Sequence, residues 1–196
     1  GQRFCLHHAP HTPPRASIVY LHPFAEEMNK ARRVAALQSR ALAAAGCAVL
    51  QIDLLGCGDS DGDFGDATWS DWVDDVVAAC HWLRTESCAD SDVGGLPLTL
   101  WGQRAGALIA VAAAARLGDV PRLLLWQPAA QGKTLLQQFL RLQMAGAMVA
   151  RATVDDAEAS RLAPRGSGRG RTAFAAGETV EIVGYRVGAS LAAALE

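Results

Sequence analysis

Short apolar runs alternate with longer segments of helical periodicity over the first two thirds of this chain. The apolar runs occupy residues 16–22, 48–52, 98–101 and 123–126. A run that is apolar almost throughout is typical of a strand buried on both faces of a parallel sheet. Because helices of about ten or more residues separate the runs, the pattern predicts crossover connections. We therefore expect an α/β fold, with a parallel sheet of about four to six strands and helices on both faces.

Three segments predict the helices that pack against this sheet. In residues 26–45, apolar side chains recur at helical spacing, and Gly46 follows as a C-terminal stop. The segment Thr-Trp-Ser-Asp at 68–71 has the form of a capping box before a second helix. Residues 105–117 predict a third, very apolar helix. The second helix has one apolar face, which predicts packing against the core: Trp69, Trp72, Val73, Val76, Val77, Cys80 and Leu83.

The pattern changes in the last third of the chain. It predicts a helix over residues 134–150, a loop rich in Gly, Arg and Ser over 164–171, and a short hairpin or edge strand over 179–187. We therefore expect one domain, with an α/β core over residues 1–132 and a small helical cap or insertion over 133–196. A homodimer is a further prediction, because one face of the cap helix is apolar and would suit a second copy. That face consists of Leu135, Leu136, Phe139, Leu140 and Met144.

Composition and charge exclude several classes of function. The chain has 196 residues, 51% hydrophobic and 19% charged, as expected for a compact domain. Its net charge is −2, and residues 53–75 hold eight aspartates and no Lys or Arg, so binding of a nucleic-acid backbone is disfavoured. The sequence holds no apolar run of the roughly 20 residues that a membrane span requires. Neither a metal nor a cofactor is indicated by its motifs.

The cysteines indicate the cellular compartment, and the two chain ends indicate how this sequence relates to the native protein. The five cysteines are Cys5, Cys47, Cys57, Cys80 and Cys88, an odd number without a C-x-x-C pair. This predicts reduced thiols and a cytoplasmic protein. The chain begins abruptly with strand-like residues 3–6, so we expect a residue or a segment to precede it. Residues 191–196 are typical either of a vector junction before a purification tag or of native helix.

The strongest functional signal is the segment Gly-Gln-Arg-Ala-Gly at residues 102–106. It follows a predicted strand and opens a predicted helix. This is the context of the nucleophile elbow, G-x-S-x-G, in which a sharp turn exposes a catalytic serine. Here Arg104 stands where serine belongs, and a protonated guanidinium has no lone pair with which to attack an acyl carbon. The segment therefore predicts a hydrolase fold without the usual nucleophile.

Further motifs resemble the α/β-hydrolase superfamily. The tripeptide His22-Pro23-Phe24 resembles the oxyanion loop that follows a strand, and Asp-Leu-Leu-Gly-Cys-Gly-Asp-Ser at 53–60 resembles a D-x-x-G-x-G-x-S loop. More narrowly, the chain is similar to the exosortase A system-associated hydrolase 2 family. The segments that carry this similarity are residues 22–29, 53–60, 101–106 and 125–128.

This resemblance implies a hydrolase of the ester or thioester class with a small-molecule or acyl substrate. It also implies an association with exopolysaccharide and PEP-CTERM protein-sorting genes of Gram-negative bacteria. In the α/β-hydrolase fold the catalytic acid and histidine follow the nucleophile, whereas the last histidine of this chain is His81. A standard Ser-His-Asp triad is therefore absent from the chain.

Arg104 is expected to lie against an anion, because a cation at a helix N-terminus faces the positive end of the helix dipole. Glu26 and Glu27 begin the helix after the oxyanion-like loop. We expect Arg104 to pair with one of them, in bidentate geometry. The alternative is that Arg104 captures a carboxylate or phosphate of a ligand.

Three other residues have both a catalytic and a structural interpretation. His22 is either a base beside the elbow or a residue that orients its loop through a backbone hydrogen bond. Cys57 is either a nucleophile, with His22 as its base, or a small residue in a tight Gly-x-Gly turn. Asp53 is predicted to hold the loop that follows it rather than to act as a catalytic acid.

A pocket for an anion or oxyanion is predicted beside the elbow, formed by the backbone N–H groups of Phe24 and Ala25 together with Gln103 and Arg104. Two functions stay open at this point. The first is an unusual hydrolase that uses His22, Phe24 and Arg104 to bind and polarise an oxyanion. The second is a catalytically inactive hydrolase fold that binds an anion or a partner protein.

Overall fold

The computed structural model describes residues 1–88, 95–119, 122–152, 172–182 and 184–196. The strands are β1 (Cys5–His8), β2 (Ala16–Leu21), β3 (Cys47–Ile52), β4 (Leu98–Gln103), β5 (Arg122–Trp126), β6 (Val180–Ile182) and β7 (Tyr185–Val187). The helices are α1 (Glu26–Ala44), α2 (Trp69–Cys88), α3 (Gly106–Leu117), α4 (Gly132–Ala152) and α5 (Ala189–Leu195), with a single 3-10 turn at Phe64–Asp66.

Five of the described strands form one sheet in the order β1-β3-β2-β4-β5. The pairs β3–β2, β2–β4 and β4–β5 are parallel, which confirms the predicted parallel sheet. The exception is β1, which pairs antiparallel with β3 at the edge and begins two residues later than the strand-like stretch in the sequence. Because β2 and β4 are parallel neighbours, their carboxyl ends meet at one edge of the sheet.

Helices cover both faces of the central strands. Along β2, Val19 and Leu21 belong to the larger core cluster, while Ile18 and Tyr20 belong to a second cluster that includes Ala35 of α1. Successive side chains of a strand point to opposite faces, so β2 is buried on both sides. This arrangement is the predicted one, a mostly parallel sheet between two layers of helices.

The capping box at the start of α2 is confirmed. The backbone N–H of Thr68 donates to a carboxylate oxygen of Asp71 at 3.0 Å, and the N–H of Asp71 donates to the hydroxyl of Thr68 at 3.2 Å. The Thr68 hydroxyl also donates to Asp71, and these hydrogen bonds hold the pKa of Asp71 below its usual value. Two of the donors that a helix N-terminus leaves unpaired are thus satisfied.

The last third of the chain packs against the same core. The predicted hairpin is present as the antiparallel pair β6–β7. The apolar face of α4 is buried within the chain, against residues such as Phe24, and its members are Leu135, Leu136, Phe139 and Leu140. The prediction that these four side chains are presented to a second copy is wrong, because the chain itself covers them, whereas the homodimer itself stays a prediction. The side chain of Met144 and the loop at 164–171 lie outside the described residues.

The strand β5 departs from the prediction of a strand buried on both faces. Its leucines, Leu123, Leu124 and Leu125, are 42, 50 and 38% exposed, and Trp126 is 37% exposed. In the described part of the chain, β4 is the one strand that pairs with β5, at the outer edge of the sheet. The apolar run therefore predicted a strand correctly but not its burial.

Candidate functional site

Three residues with strained backbones mark the carboxyl edge of the sheet. Ala25, Arg104 and Gln127 have φ angles of 48°, 53° and 46°, a region that residues with a Cβ rarely adopt. They follow β2, β4 and β5, which are neighbours in the sheet. Such conformations each cost on the order of 1–3 kcal/mol and tend to cluster at functional sites. This edge is the candidate site.

The turn at Arg104 has the form of a nucleophile elbow, and close packing explains its two glycines. A Cβ on Gly102 would lie 2.5 Å from Cα of Ala107, and a Cβ on Gly106 would lie 2.2 Å from the carbonyl oxygen of Leu21. Since real Cβ atoms do not approach other atoms so closely, only glycine lets α3 pack this tightly on β4 and β2. The backbone N–H of Arg104 donates to the carbonyl of Trp126 at 3.0 Å, which ties the turn to β5.

The guanidinium of Arg104 is paired with a carboxylate, as predicted. Its Nη2 and Nε atoms donate to the two carboxylate oxygens of Glu27 at 3.1 and 3.3 Å, a bidentate pair. Gln138 of α4 adds a longer contact of 3.4 Å from its Oε1 to Nη2. Glu26 is not the partner, because it pairs with Lys30 at 3.0 Å.

The Arg104–Glu27 pair is partly open to solvent, with side chains 30 and 35% exposed. At such exposure an ion pair contributes about 0.2–1 kcal/mol to stability. The pair is therefore weak enough for another anion to compete with Glu27 for the guanidinium.

The ring of His22 connects two loops. Its Nδ1 lies 2.7 Å from the carbonyl oxygen of Pro23, and its Nε2 lies 3.4 Å from the backbone nitrogen of Leu54. Because an amide N–H can only donate, Nε2 accepts and the proton sits on Nδ1. Burial lowers the pKa of His22, so the ring is neutral near pH 7. Both nitrogens are engaged with backbone groups, and a role as catalytic base stays a prediction.

The loop after β3 is ordered by Asp53, as predicted. One oxygen of Asp53 accepts from Nη2 of Arg32 at 2.8 Å and from the backbone N–H of Asp59 at 3.1 Å. The hydroxyl of Ser60 donates to the carbonyl of Asp53 at 2.5 Å. Sequence analysis missed Arg32, since nothing in the loop itself indicates which distant cation neutralises the aspartate.

Cys57 lies in the same loop and is 5% exposed. Burial, reinforced by the nearby carboxylates of Asp53 and Asp75, raises the pKa of the Cys57 thiol to about 12. The thiol is therefore protonated near pH 7. Nucleophilic attack by cysteine requires the thiolate, so this environment disfavours the catalytic interpretation.

Phe24, Ala25 and Gln103, which were predicted to form an anion pocket with Arg104, make different contacts in the structure. The ring of Phe24 packs edge-on against Phe64 and Phe139, with centroids 5.2 and 4.8 Å apart. The backbone N–H groups of Phe24 and Ala25 have no acceptor among the described residues. Gln103 does not face Arg104, since its side-chain oxygen accepts from the Tyr20 hydroxyl at 2.8 Å.

Other kinds of site were sought in the part of the chain that the structure describes. No group of His, Cys, Asp and Glu side chains there is arranged to hold a metal ion. Four cysteines are free thiols in the structure, namely Cys5, Cys47, Cys57 and Cys80, and the side chain of Cys88 is not described. None of the helices in these same residues combines the length and apolar character of a membrane span.

Comparison with known proteins agrees with the geometry of the edge. The family model described as serine aminopeptidase, S33 (Hydrolase_4), matches residues 12–189. No curated protein matches the sequence significantly.

Solved α/β-hydrolase structures share the fold at low sequence identity. Est1E from Butyrivibrio proteoclasticus, solved with ferulic acid, has a TM-score of 0.55 and 23% identity over 69% of this chain and 53% of its own. A putative hydrolase from Agrobacterium vitis S4 has a TM-score of 0.54 and 20% identity over 92% and 58%. A soluble variant of monoglyceride lipase from Saccharomyces cerevisiae has a TM-score of 0.53 and 16% identity over 76% and 48%. The chain thus spans about half the length of these proteins.

Proposed function

From the premise that this chain belongs to the serine aminopeptidase, S33, family, we propose that it binds acyl ligands without forming an acyl-enzyme. The observation that carries the proposal is Arg104, which holds the strained position of the elbow at φ 53°. The G-x-S-x-G motif places serine at that position. A guanidinium has no lone pair to offer, so no covalent intermediate can form on this side chain.

The acyl-binding part of such a site is supported by the backbone. The N–H groups of Phe24 and Ala25 lack acceptors within the described residues, and so does that of Ala105 at the start of α3. In an α/β-hydrolase, two backbone N–H groups hold the carbonyl oxygen of the substrate. One belongs to the oxyanion loop, which here follows β2, and the other belongs to the residue after the nucleophile. These N–H groups would donate to the carbonyl oxygen of an ester or thioester, or to the carboxylate derived from it.

Glu27 would compete with an acyl ligand for the guanidinium of Arg104. A ligand carboxylate has the same two oxygens that Glu27 already places against Nη2 and Nε of Arg104. Binding of the ligand to the guanidinium therefore displaces Glu27 or shares Arg104 with it. If Glu27 loses its charge, the guanidinium becomes free for the ligand and affinity should rise.

Turnover is the first test. We expect the protein to hydrolyse p-nitrophenyl butyrate no faster than buffer does. The variant Arg104→Ser should also stay inactive, because His22, the histidine at this edge, has both nitrogens engaged. Hydrolysis by the unmodified protein that disappears in Arg104→Ala would instead establish the alternative, an enzyme that polarises the carbonyl with Arg104 and lets water attack directly.

Binding of butyrate is the second test, followed through backbone amide signals in NMR spectra. We expect saturable shifts at Phe24, Ala25 and Ala105. Glu27→Gln should tighten binding about 2–5-fold, the equivalent of an exposed ion pair, and Arg104→Ala should weaken it. The matched control is Glu26→Gln, one residue away and paired with Lys30 instead. Absence of shifts at these amides, or equal effects of both glutamine variants, would contradict the proposal.

The biological setting is proposed from the resemblance alone. The motifs at 22–29 and 53–60 support a role beside an exosortase and exopolysaccharide system, in the cytoplasm. Deletion of the gene should then change exopolysaccharide production, and cell fractionation should recover the protein with the cytoplasm. A normal amount of exopolysaccharide in the deletion strain would count against this setting.

A further inference from the structure

A cavity of about 610 Å³ opens beside α1, away from the Arg104 guanidinium. One face of α1 forms a wall, the loop after β3 forms a second, and the 3-10 turn and β7 contribute a third. Its polar lining includes Asn29, Arg32, Asp59 and Tyr185, and its apolar lining includes Met28 and Phe64. Its size is within the range of small-molecule sites.

The loop wall is held in place by an ion pair. A Cβ on Gly58 would lie 2.0 Å from a carboxylate oxygen of Asp53 and 2.3 Å from Nη2 of Arg32. Arg32 and Asp53 therefore pack directly on bare backbone, and the pair also receives the N–H of Asp59. The cavity wall is consequently preformed rather than a loose loop.

Several polar groups on the walls have no partner in the described part of the protein. These are the side-chain amide of Asn29, the carboxylate of Asp59 and the hydroxyl of Tyr185. Arg32 uses one nitrogen for Asp53 and retains further donors. Donors and acceptors thus line the same space, which suits a ligand that can both donate and accept.

The rest of the lining is apolar. Met28, Cys57 and Phe64 are buried, and the rings of Phe64 and Tyr185 meet edge to face with centroids 5.3 Å apart. A ligand with an apolar face as well as polar edges would satisfy both kinds of wall.

The charges disfavour an anion and offer little to a cation. An anion would meet the Asp59 carboxylate, and Arg32 is already neutralised by Asp53 at 2.8 Å. A cation would find a single carboxylate, that of Asp59, because no other acidic residue among those described lines the cavity. A purely apolar ligand would bury Asn29, Asp59 and Tyr185 without hydrogen bonds, which is unfavourable.

We propose that this cavity binds a neutral polyhydroxylated ligand, a sugar or cyclic polyol. Adjacent hydroxyls each donate one hydrogen bond and accept others, so one can donate to Asp59 while its neighbour accepts from Asn29 or Arg32. The carbon–hydrogen face of the ring suits the Phe64 and Tyr185 side. The site is independent of acyl binding at Arg104, apart from the shared backbone of Ala25.

The test is a titration of the whole chain with methyl β-D-glucopyranoside, followed by amide signals in NMR spectra. We expect saturable shifts at Gly56, Cys57, Gly58 and Asp59 at millimolar concentrations. Cyclohexanol, which has a similar ring but one hydroxyl, should cause no saturable shift. Equal binding of cyclohexanol, or stronger binding of acetate or tetramethylammonium, would overturn the proposal, as would the absence of any shift.

Variants decide whether the polar wall is responsible. Asn29→Ala and Asp59→Asn should each weaken glucoside binding about 2–10-fold, the effect of losing one hydrogen bond. Gln38→Ala is the matched control, an exposed amide on α1 outside the cavity, and should leave binding unchanged. Unchanged affinity in both wall variants would overturn the proposal. Because butyrate is read out at Phe24, Ala25 and Ala105, either ligand can fail without affecting the other.

Discussion

The strands β2 and β5 are alike in local character and differ in their surroundings. Both are mainly apolar, and both pair in parallel with β4. Residues 18–21 of β2 are at most 7% exposed, whereas residues 123–126 of β5 are 37–50% exposed. The difference is position, because β2 lies between two strands and β5 has β4 as its one strand neighbour in the described residues.

The neighbours of β4 also hold the strained turn that follows it. The turn at Arg104 follows an interior strand and is surrounded by backbone of Leu21, Trp126 and Ala129. A strained φ persists only when neighbouring structure over-determines it. The end of β2, the end of β5 and the segment that follows β5 therefore fix this turn together.

The largest effect on stability is expected from two leucines that lie opposite each other in β4 and β5. Leu100 of β4 and Leu123 of β5 are directly paired, but Leu100 is 0% exposed and Leu123 is 42% exposed. Leu100→Ala should lower the free energy of unfolding by about 2–5 kcal/mol, since it leaves a cavity in the core. Leu123→Ala should lower it by less than about 1 kcal/mol. Urea denaturation measures both, and equal losses would show that β5 is covered in solution.

A smaller effect is expected where α3 closes on the interior strands. Gly106→Ala would place a methyl group 2.2 Å from the carbonyl oxygen of Leu21. We expect a loss of about 1–3 kcal/mol in unfolding free energy, because backbone has to move. Gly95→Ala is the control, since a Cβ there has no atom within 4 Å, and should change stability by less than about 0.5 kcal/mol. A neutral Gly106→Ala would mean that the elbow is looser than described.

The smallest effect is expected on the pH dependence of stability, through His22, which follows β2. The folded-state pKa of His22 lies below the reference value of 6.5, because burial disfavours the charged ring. The unfolded chain therefore binds more protons, and stability contributed by neutral His22 is complete above pH 6.5 and falls as pH drops toward the lowered pKa. His22→Asn should flatten the pH dependence of the urea midpoint between pH 7.5 and 5.

His81 provides the contrast, since it is exposed on α2. His81→Asn should leave the pH dependence as it is in the unmodified protein. An independent readout is the His22 ring in NMR spectra, which should keep the neutral Nδ1–H form to a lower pH than a free histidine does. A ring that titrates at its ordinary pH would contradict the buried geometry.

Much of the fold could be predicted because its signals are local. The glycines at 102 and 106, and the capping box of Thr68 and Asp71, lie within a few residues of the turns that they form. The partner of Arg104, in contrast, could not be identified from local sequence. Glu26 and Glu27 are adjacent in sequence, and the packing of α1 against the sheet decided that Glu27 faces the elbow.

Long-range contacts could not be predicted from these patterns. The apolar face of α4 is equally suitable for a second copy or for the chain's own core, and packing against residues such as Phe24 and Leu191 decided between them. Gln138 beside Arg104 has no local signal at all. Likewise, Asn29, Asp59 and Tyr185 are unremarkable until the fold places them around one cavity.

The amino-acid sequence by itself determined the order of strands and helices, the sharp turn after β4, and the presence of a cation where a nucleophile is expected. These depend on backbone preferences and side-chain chemistry within a few neighbouring residues. The tertiary structure alone decided that β2 is buried and β5 exposed, that Glu27 neutralises Arg104, and which polar groups share a cavity. Burial and pairing depend on what lies opposite in space, and that is set by the whole fold.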